Sequence, residues 1–147
     1  MIREAVVEDI PRLLEMGEAF WSGSPWAASG PFSPAKAGPA FERFIASESV
    51  GLFVIDKDGV CGALAIIVSD LWPVEGGVLA QEAFWWVERR GSGEALALWE
   101  RGERFAKDNG AQALAMIRLE GMRDDAVDLL YRRRGYRVKE HLYTRPL

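Results

Sequence analysis

The sequence predicts an α/β domain: a mixed, mostly antiparallel central sheet of about six to seven strands flanked by about four helices, with residues 1–147 forming one domain. Three observations predict it. Two apolar, β-rich runs at 50–56 and 60–69 flank Lys57-Asp58-Gly59, a hairpin signal. A third such run at 79–87 is followed by a helical pattern and then a short apolar run at 113–119, the order of a strand–helix–strand crossover. The length of 147 residues suits a single core.

The elements follow in order. Residues 2–6 form a short candidate strand. Glu8-Asp9-Ile10-Pro11 opens a helix, since acids suit a first turn and proline is tolerated there. Ile10, Leu13, Leu14, Gly17 and Phe20 continue it at helical spacing. The stretch WSGSPWAASGPFSP reads as a loop. Its Trp21, Trp26 and Phe32, with Trp72 further on, either pin loops to the core or line a pocket. Ser33-Pro34 reads as an N-cap and first-turn proline for a helix to about residue 47, with Gly38-Pro39 delaying or bending its start. After the hairpin and the third strand, Ala95, Leu98, Trp99, Gly102, Phe105 and Ala106 share one helix face, and Asn109-Gly110 stops it. Asp124 or Asp125 is placed to cap a last helix carrying Ala126, Val127, Leu130 and Tyr131, and Gly135 ends it. Residues 136–139 and 142–144 read as two closing strands.

Composition narrows the function. A net charge of -4 argues against nonspecific nucleic-acid binding, which favours a basic surface. The lone Cys61 excludes an internal disulfide and lies in a run that reads as buried. The single His141 reads as structural or exposed, and no Cys/His cluster suggests zinc. No apolar run approaches a membrane span, and the N-terminal charges do not suit a signal peptide, so a cytoplasmic location is expected.

The segment from Val87 to Gly110 sets Arg89, Arg90, Gly91, Ser92 and Gly93 directly before the amphipathic helix. A helix N-terminus presents unpaired N–H groups and partial positive charge, and glycines let an anion approach the backbone. The pattern therefore suits a phosphate or pyrophosphate, although such a turn also serves as a plain tight connection. A P-loop is absent, and the dinucleotide fingerprint fails at Leu96.

Arg90-Gly91-Ser92-Gly93-Glu94-Ala95 resembles the Gln/Arg-x-x-Gly-x-Gly/Ala motif of the GNAT superfamily, the GCN5-related N-acetyltransferases. AVDLLYRRRGY, residues 126–136, resembles that family's A-x-x-L-Y-x-x-x-G-F segment, with Tyr136 replacing Phe. The opening IREAVVEDIPRLLEM is similar to the family's first strand and helix, and FWWV resembles small bacterial and phage members. The resemblance implies acetyl-coenzyme A as cofactor. It places Trp86, Val87, Arg89, Arg90, Gly91, Ser92, Gly93, Glu94 and Ala95 at the coenzyme, the turn on its pyrophosphate and the preceding strand end on its pantetheine. It also implies that this strand splays from residues 113–119. Glu94 departs from the usual apolar residue and is expected to point into solvent, and Asp124-Asp125 stands where Asn is often found. The implied acceptor is a small-molecule or protein amine, with no nucleic acid or membrane partner, in a monomer or homodimer.

Acetyl transfer needs an unprotonated amine and a proton for the leaving thiolate. Glu82, a carboxylate in an apolar strand, is the base candidate, and burial would raise its pKa usefully. A pocket-rim charge is the other reading, and Gln81 or a water chain would serve instead. Tyr131 matches the family's usual acid position; core packing is its other reading. Arg132, Arg133 and Arg134 read as a solvated helix end. The activity implied is N-acetyltransfer by direct attack in a ternary complex, without a covalent enzyme intermediate. A noncatalytic acyl-coenzyme A-binding or protein-interaction module on the same fold is the alternative.

Overall fold

The computed structural model describes residues 1–88 and 93–147. The strands are β1 (Ile2–Glu4), β2 (Val50–Asp56), β3 (Val60–Asp70), β4 (Val78–Val87) and β5 (Ala113–Ala115). The helices are α1 (Ile10–Gly23), α2 (Pro34–Ala46), α3 (Glu94–Asp108) and α4 (Asp124–Arg133), with 3₁₀ turns at Val7–Asp9 and Pro25–Ser29. The strands lie in sequence order in one sheet, antiparallel from β1 to β4, and β5 joins β4 in parallel.

The first strand and first helix meet through charge. Arg3 donates to both carboxylate oxygens of Asp9, at 2.7 and 2.9 Å, and to Asp56 at 2.7 Å. Asp9 also accepts the Val6 N–H, at 2.9 Å. The Arg3 hydrogen bond holds the Asp9 carboxyl below its ordinary range despite burial. Arg12 of α1 binds the Val60 carbonyl and pairs with Glu88, which fastens the end of β4 to the hairpin and α1.

A bulge decides which way β4 faces. Ala65 pairs with Phe84, but Ile66 pairs with Glu82, so Ala83 is an extra residue. Phe84 and Trp86 pack with Leu13, Phe41 and Val54 beneath α1 and α2. Trp85 and Val87 pack with Leu64, Ile66, Ala80 and Leu98 beneath α3. Strict alternation from Ala80 would carry Phe84 and Trp86 onto the α3 face with Glu82; the bulge turns them to the other face and brings Trp85 onto the face of Glu82.

Helix α3 sits close to β3 because Gly102 has no side chain. A Cβ there would lie 2.7 Å from Leu64 Cδ2 and 3.1 Å from Ile66 Cγ1. Both neighbours are fully buried, so a Cβ there would make them shift within the core.

Some expectations are corrected. Among the described residues the sheet has five strands, not six or seven. Residues 136–139 and 142–144 form no strand; Val138, Leu142 and Tyr143 are 65%, 79% and 89% exposed. An alternating pattern makes a strand only against a receptive edge, and the β5 ladder ends at Ala115. The cap of α4 is Arg123, in the left-handed conformation, rather than Asp124 or Asp125. Pro39 lies inside α2 without delaying its start at Pro34. Cys61 is buried and His141 exposed, as expected. Among the described residues no helix is long and apolar enough to cross a membrane.

Gly102→Ala should destabilise the protein. Overpacking costs about 1–3 kcal/mol, and the better helix propensity of alanine returns only about 1 kcal/mol. A thermal melt should show Tm lowered by roughly 2–4 °C for each net kcal/mol lost.

Candidate active site

The site forms where two parallel strands part. β5 pairs with β4 only from Leu79 to Gln81, and residues 116–119 continue without a ladder. Just beyond the last pair, the Glu82 side chain takes over the bonding. Its carboxylate accepts the Ile117 N–H at 2.9 Å, so the strands stay linked while their backbones separate. Glu82 is 6% exposed. Burial pushes its carboxyl up to about 7, and the Ile117 hydrogen bond only partly opposes this.

Tyr131 reaches the same residue from α4. Its hydroxyl donates to the Ile117 carbonyl at 2.8 Å. Burial, then the Glu82 charge, then Tyr136 push its phenol well above the ordinary range. A carboxyl near 7 and a phenol that keeps its proton therefore meet across one residue. The first can exchange a proton near neutrality, and the second stays protonated.

An aromatic cluster backs Tyr131. Trp99 of α3 is 1% exposed. Its ring lies 5.4 Å from Tyr131, 5.2 Å from Tyr136 and 5.7 Å from Trp85. Its Nε1–H donates to the Tyr136 hydroxyl, which donates to Glu103.

Of the residues expected at the coenzyme, Arg89, Arg90, Gly91 and Ser92 lie outside the described residues. Gly93 caps α3 with φ +73°, a backbone shape that favours glycine, and a Cβ there would meet nothing within 4 Å. The first helical bond runs from the Ala97 N–H to the Gly93 carbonyl. The Ala95 amide precedes it and so has no acceptor within the helix. Glu94 does not simply point into solvent: its side chain is 23% exposed and pairs with Lys57 at 3.5 Å. The cation neutralises the charge that would repel an anion at this helix end. Trp86 packs edge-on against Phe20 at 5.7 Å, and Val87 pairs with Gly62 of β3.

Trp72 is 87% exposed, Trp21 is tied to the Gly30 carbonyl at 2.8 Å, and Phe32 lies over Gly17. Sequence reasoning also missed Ile117, because it acts through its backbone. Trp99 looked like ordinary helix-face packing, and Tyr136 only like a replacement within a motif.

Solved structures share this fold. A transcriptional regulator from Bacillus halodurans C-125 superposes with TM-score 0.81 at 18% identity, over 100% of this chain and 99% of that one. An acetyltransferase of Trypanosoma brucei gives 0.76 at 15%, over 100% and 99%. An aminoglycoside antibiotic 6′-N-acetyltransferase from Acinetobacter haemolyticus gives 0.75 at 16%, over 100% and 97%. No protein-family model and no curated protein sequence matches the chain. At these identities the likeness is one of fold, and it is a fold shared with solved acetyltransferases.

Tyr131→Phe should lower stability as well as remove a proton donor. It leaves the Ile117 carbonyl without its donor, at a cost of about 1–3 kcal/mol. Denaturant unfolding measures this directly, and an unchanged midpoint would mean the hydroxyl has no structural partner in solution.

Proposed function

We propose that the protein is an acetyl-coenzyme A-dependent N-acetyltransferase acting on a primary amine by direct attack in a ternary complex. The observation that carries this reading is the convergence of Glu82 and Tyr131 on Ile117 at the point where β5 leaves β4. Glu82 can exchange a proton near neutrality, as a base must, while Tyr131 keeps its proton until a basic thiolate leaves beside it.

Three features fit the coenzyme. Beyond Gln81, β4 has no β5 partner among the described residues, so an extended, amide-bearing chain can pair with it. The indole N–H groups of Trp85 and Trp86 on this stretch are buried without an acceptor among the described residues. A Cβ on Gly93, at the N-terminus of α3, would meet none of the described residues within 4 Å. In this reading the backbone from Gly91 to Ala95, with Arg89 and Arg90, holds the pyrophosphate, and the strand end at Trp86 and Val87 holds the pantetheine. The bound coenzyme supplies an acetyl thioester. Glu82 takes a proton from the amine nitrogen, directly or through water, and the Tyr131 hydroxyl gives one to the departing sulfur. Cys61, buried in β3, is not a nucleophile.

A noncatalytic binding module is the second reading; one structural neighbour is described as a transcriptional regulator. Coenzyme release measured against a panel of amines and peptides separates the two. Release with at least one amine supports transfer, and coenzyme binding without release supports the module. For the anion site, Gly93→Val should weaken acetyl-coenzyme A binding more than tenfold by calorimetry, with circular dichroism unchanged, because a branched side chain enters the space the pyrophosphate needs. Unchanged affinity in the folded variant would remove the pyrophosphate from this turn.

Glu82 makes two pH-dependent predictions. As the base, it should produce a rise in kcat/KM through pH about 7, lost in Glu82→Gln. For stability, a carboxyl raised from 4.5 to about 7 binds its proton more tightly when folded. Stability should therefore fall as pH rises from 4.5 to about 7, then level off, by about 3 kcal/mol in all. Relative to wild type, Glu82→Gln should melt higher at pH 8 than at pH 4; an offset equal at both values would show that Glu82 titrates normally.

A further inference from the structure

We propose that Tyr136 is a positioning residue for Tyr131, acting through Trp99; this rests on reading Tyr131 as the proton donor. Trp99 is fully buried, and its one polar atom needs an acceptor there. That acceptor is the Tyr136 hydroxyl, at 3.1 Å. A hydroxyl carries a single proton, and Tyr136 gives its own to Glu103 at 2.8 Å. With the proton committed there, the oxygen lone pairs face Trp99, and the chain runs one way from Trp99 through Tyr136 to Glu103.

This chain fixes the rotation of the indole about its side-chain bonds. The fixed indole meets the Tyr131 ring at 5.4 Å and 79°, an edge contact whose geometry changes if either ring turns. Tyr136 also borders Tyr131 directly, with ring centroids 5.7 Å apart, and its N–H donates to the Tyr131 carbonyl at 3.0 Å. Arg134 ties the same end of α4 to α3 through Glu100 at 2.6 Å. The Tyr131 hydroxyl is thus held from behind by α3 while it reaches forward to Ile117. Phenylalanine at 136 would keep the ring but strand the Trp99 N–H, which then finds an acceptor only by rotating. Tyr131 would lose its backing, and small displacements of a reacting group slow turnover sharply.

The experiment compares Tyr136→Phe in the wild type and in Tyr131→Phe. In the wild type, kcat should fall about five- to tenfold, with KM for acetyl-coenzyme A and its calorimetric affinity within about twofold. In the Tyr131→Phe background the added change should alter kcat by less than about twofold. Equal losses in both backgrounds would overturn the proposal, since Tyr136 would then act independently of Tyr131. Glu103→Gln keeps an acceptor and should stay near wild type, whereas Glu103→Leu should behave like Tyr136→Phe; a wild-type rate in Glu103→Leu counts against the proposal. Nuclear magnetic resonance supplies a test without turnover. In Tyr136→Phe the Trp99 indole N–H and the Tyr131 ring signals should both shift. Unmoved Tyr131 signals would overturn the positioning role even if acetyl transfer is intact. Failure of the wild type to release coenzyme with any amine would overturn the functional reading instead, and leave the magnetic resonance outcome to decide the positioning role.

Discussion

The single extra residue in β4 is the constraint on which the site depends. Ala83 is accommodated as a bulge against β3, and the strand changes phase there. Before it, Ala80 and Glu82 face α3; after it, Trp85 and Val87 do. The phase change keeps apolar side chains on both faces of a strand covered by helices on both sides. It also leaves one carboxylate among the apolar residues of the α3 face. Without the bulge, Phe84 and Trp86 would share the α3 side with Glu82, and Trp85 would turn toward α1 and α2, away from Trp99.

The second constraint is the short ladder between β4 and β5. A parallel pair that ended without compensation would leave a seam of unmatched polar groups. Here the Glu82 carboxylate takes the Ile117 N–H and the Tyr131 hydroxyl supplies the Ile117 carbonyl. Side chains thus replace main-chain pairing across the widening cleft. The same substitution buries a carboxyl whose partner among the described residues is the Ile117 N–H, so its charged form is poorly solvated and its proton affinity rises. A structural solution to strand separation and a group that titrates near neutrality are one feature.

Helix α3 carries this arrangement to the rest of the molecule. Gly102 lets it lie close on β3, Trp99 lies one turn earlier against Tyr131, and Glu103 lies one residue later beside Tyr136. Its N-terminus opens at Gly93, where the backbone adopts the left-handed shape. The opposite face of the sheet is held by different means: apolar packing under α1 and α2, and the ion pairs of Arg3 and Arg12.

The sequence by itself determined the elements whose signals are local. Period and turn chemistry located β2 to the residue and β3 within one residue, because Lys57-Asp58-Gly59 can only turn and the flanking runs are uniformly apolar. The stripe from Ala95 to Ala106 located α3, since an amphipathic helix shows its period in its own residues. A carboxylate within an apolar strand singled out Glu82, the motif match singled out Tyr131, and the family resemblance implied that β4 and β5 part. What only the tertiary structure decided is non-local. The bulge at Ala83 depends on the register of β3, and the partner of both Glu82 and Tyr131 is a backbone, which has no residue type to read. Residues 136–144 carry a strand-like pattern yet join no sheet, because pairing requires an edge that β5 does not extend to them. Tyr136 was visible as one residue in a motif, but its hydroxyl acquired meaning only when folding set it between Trp99 and Glu103.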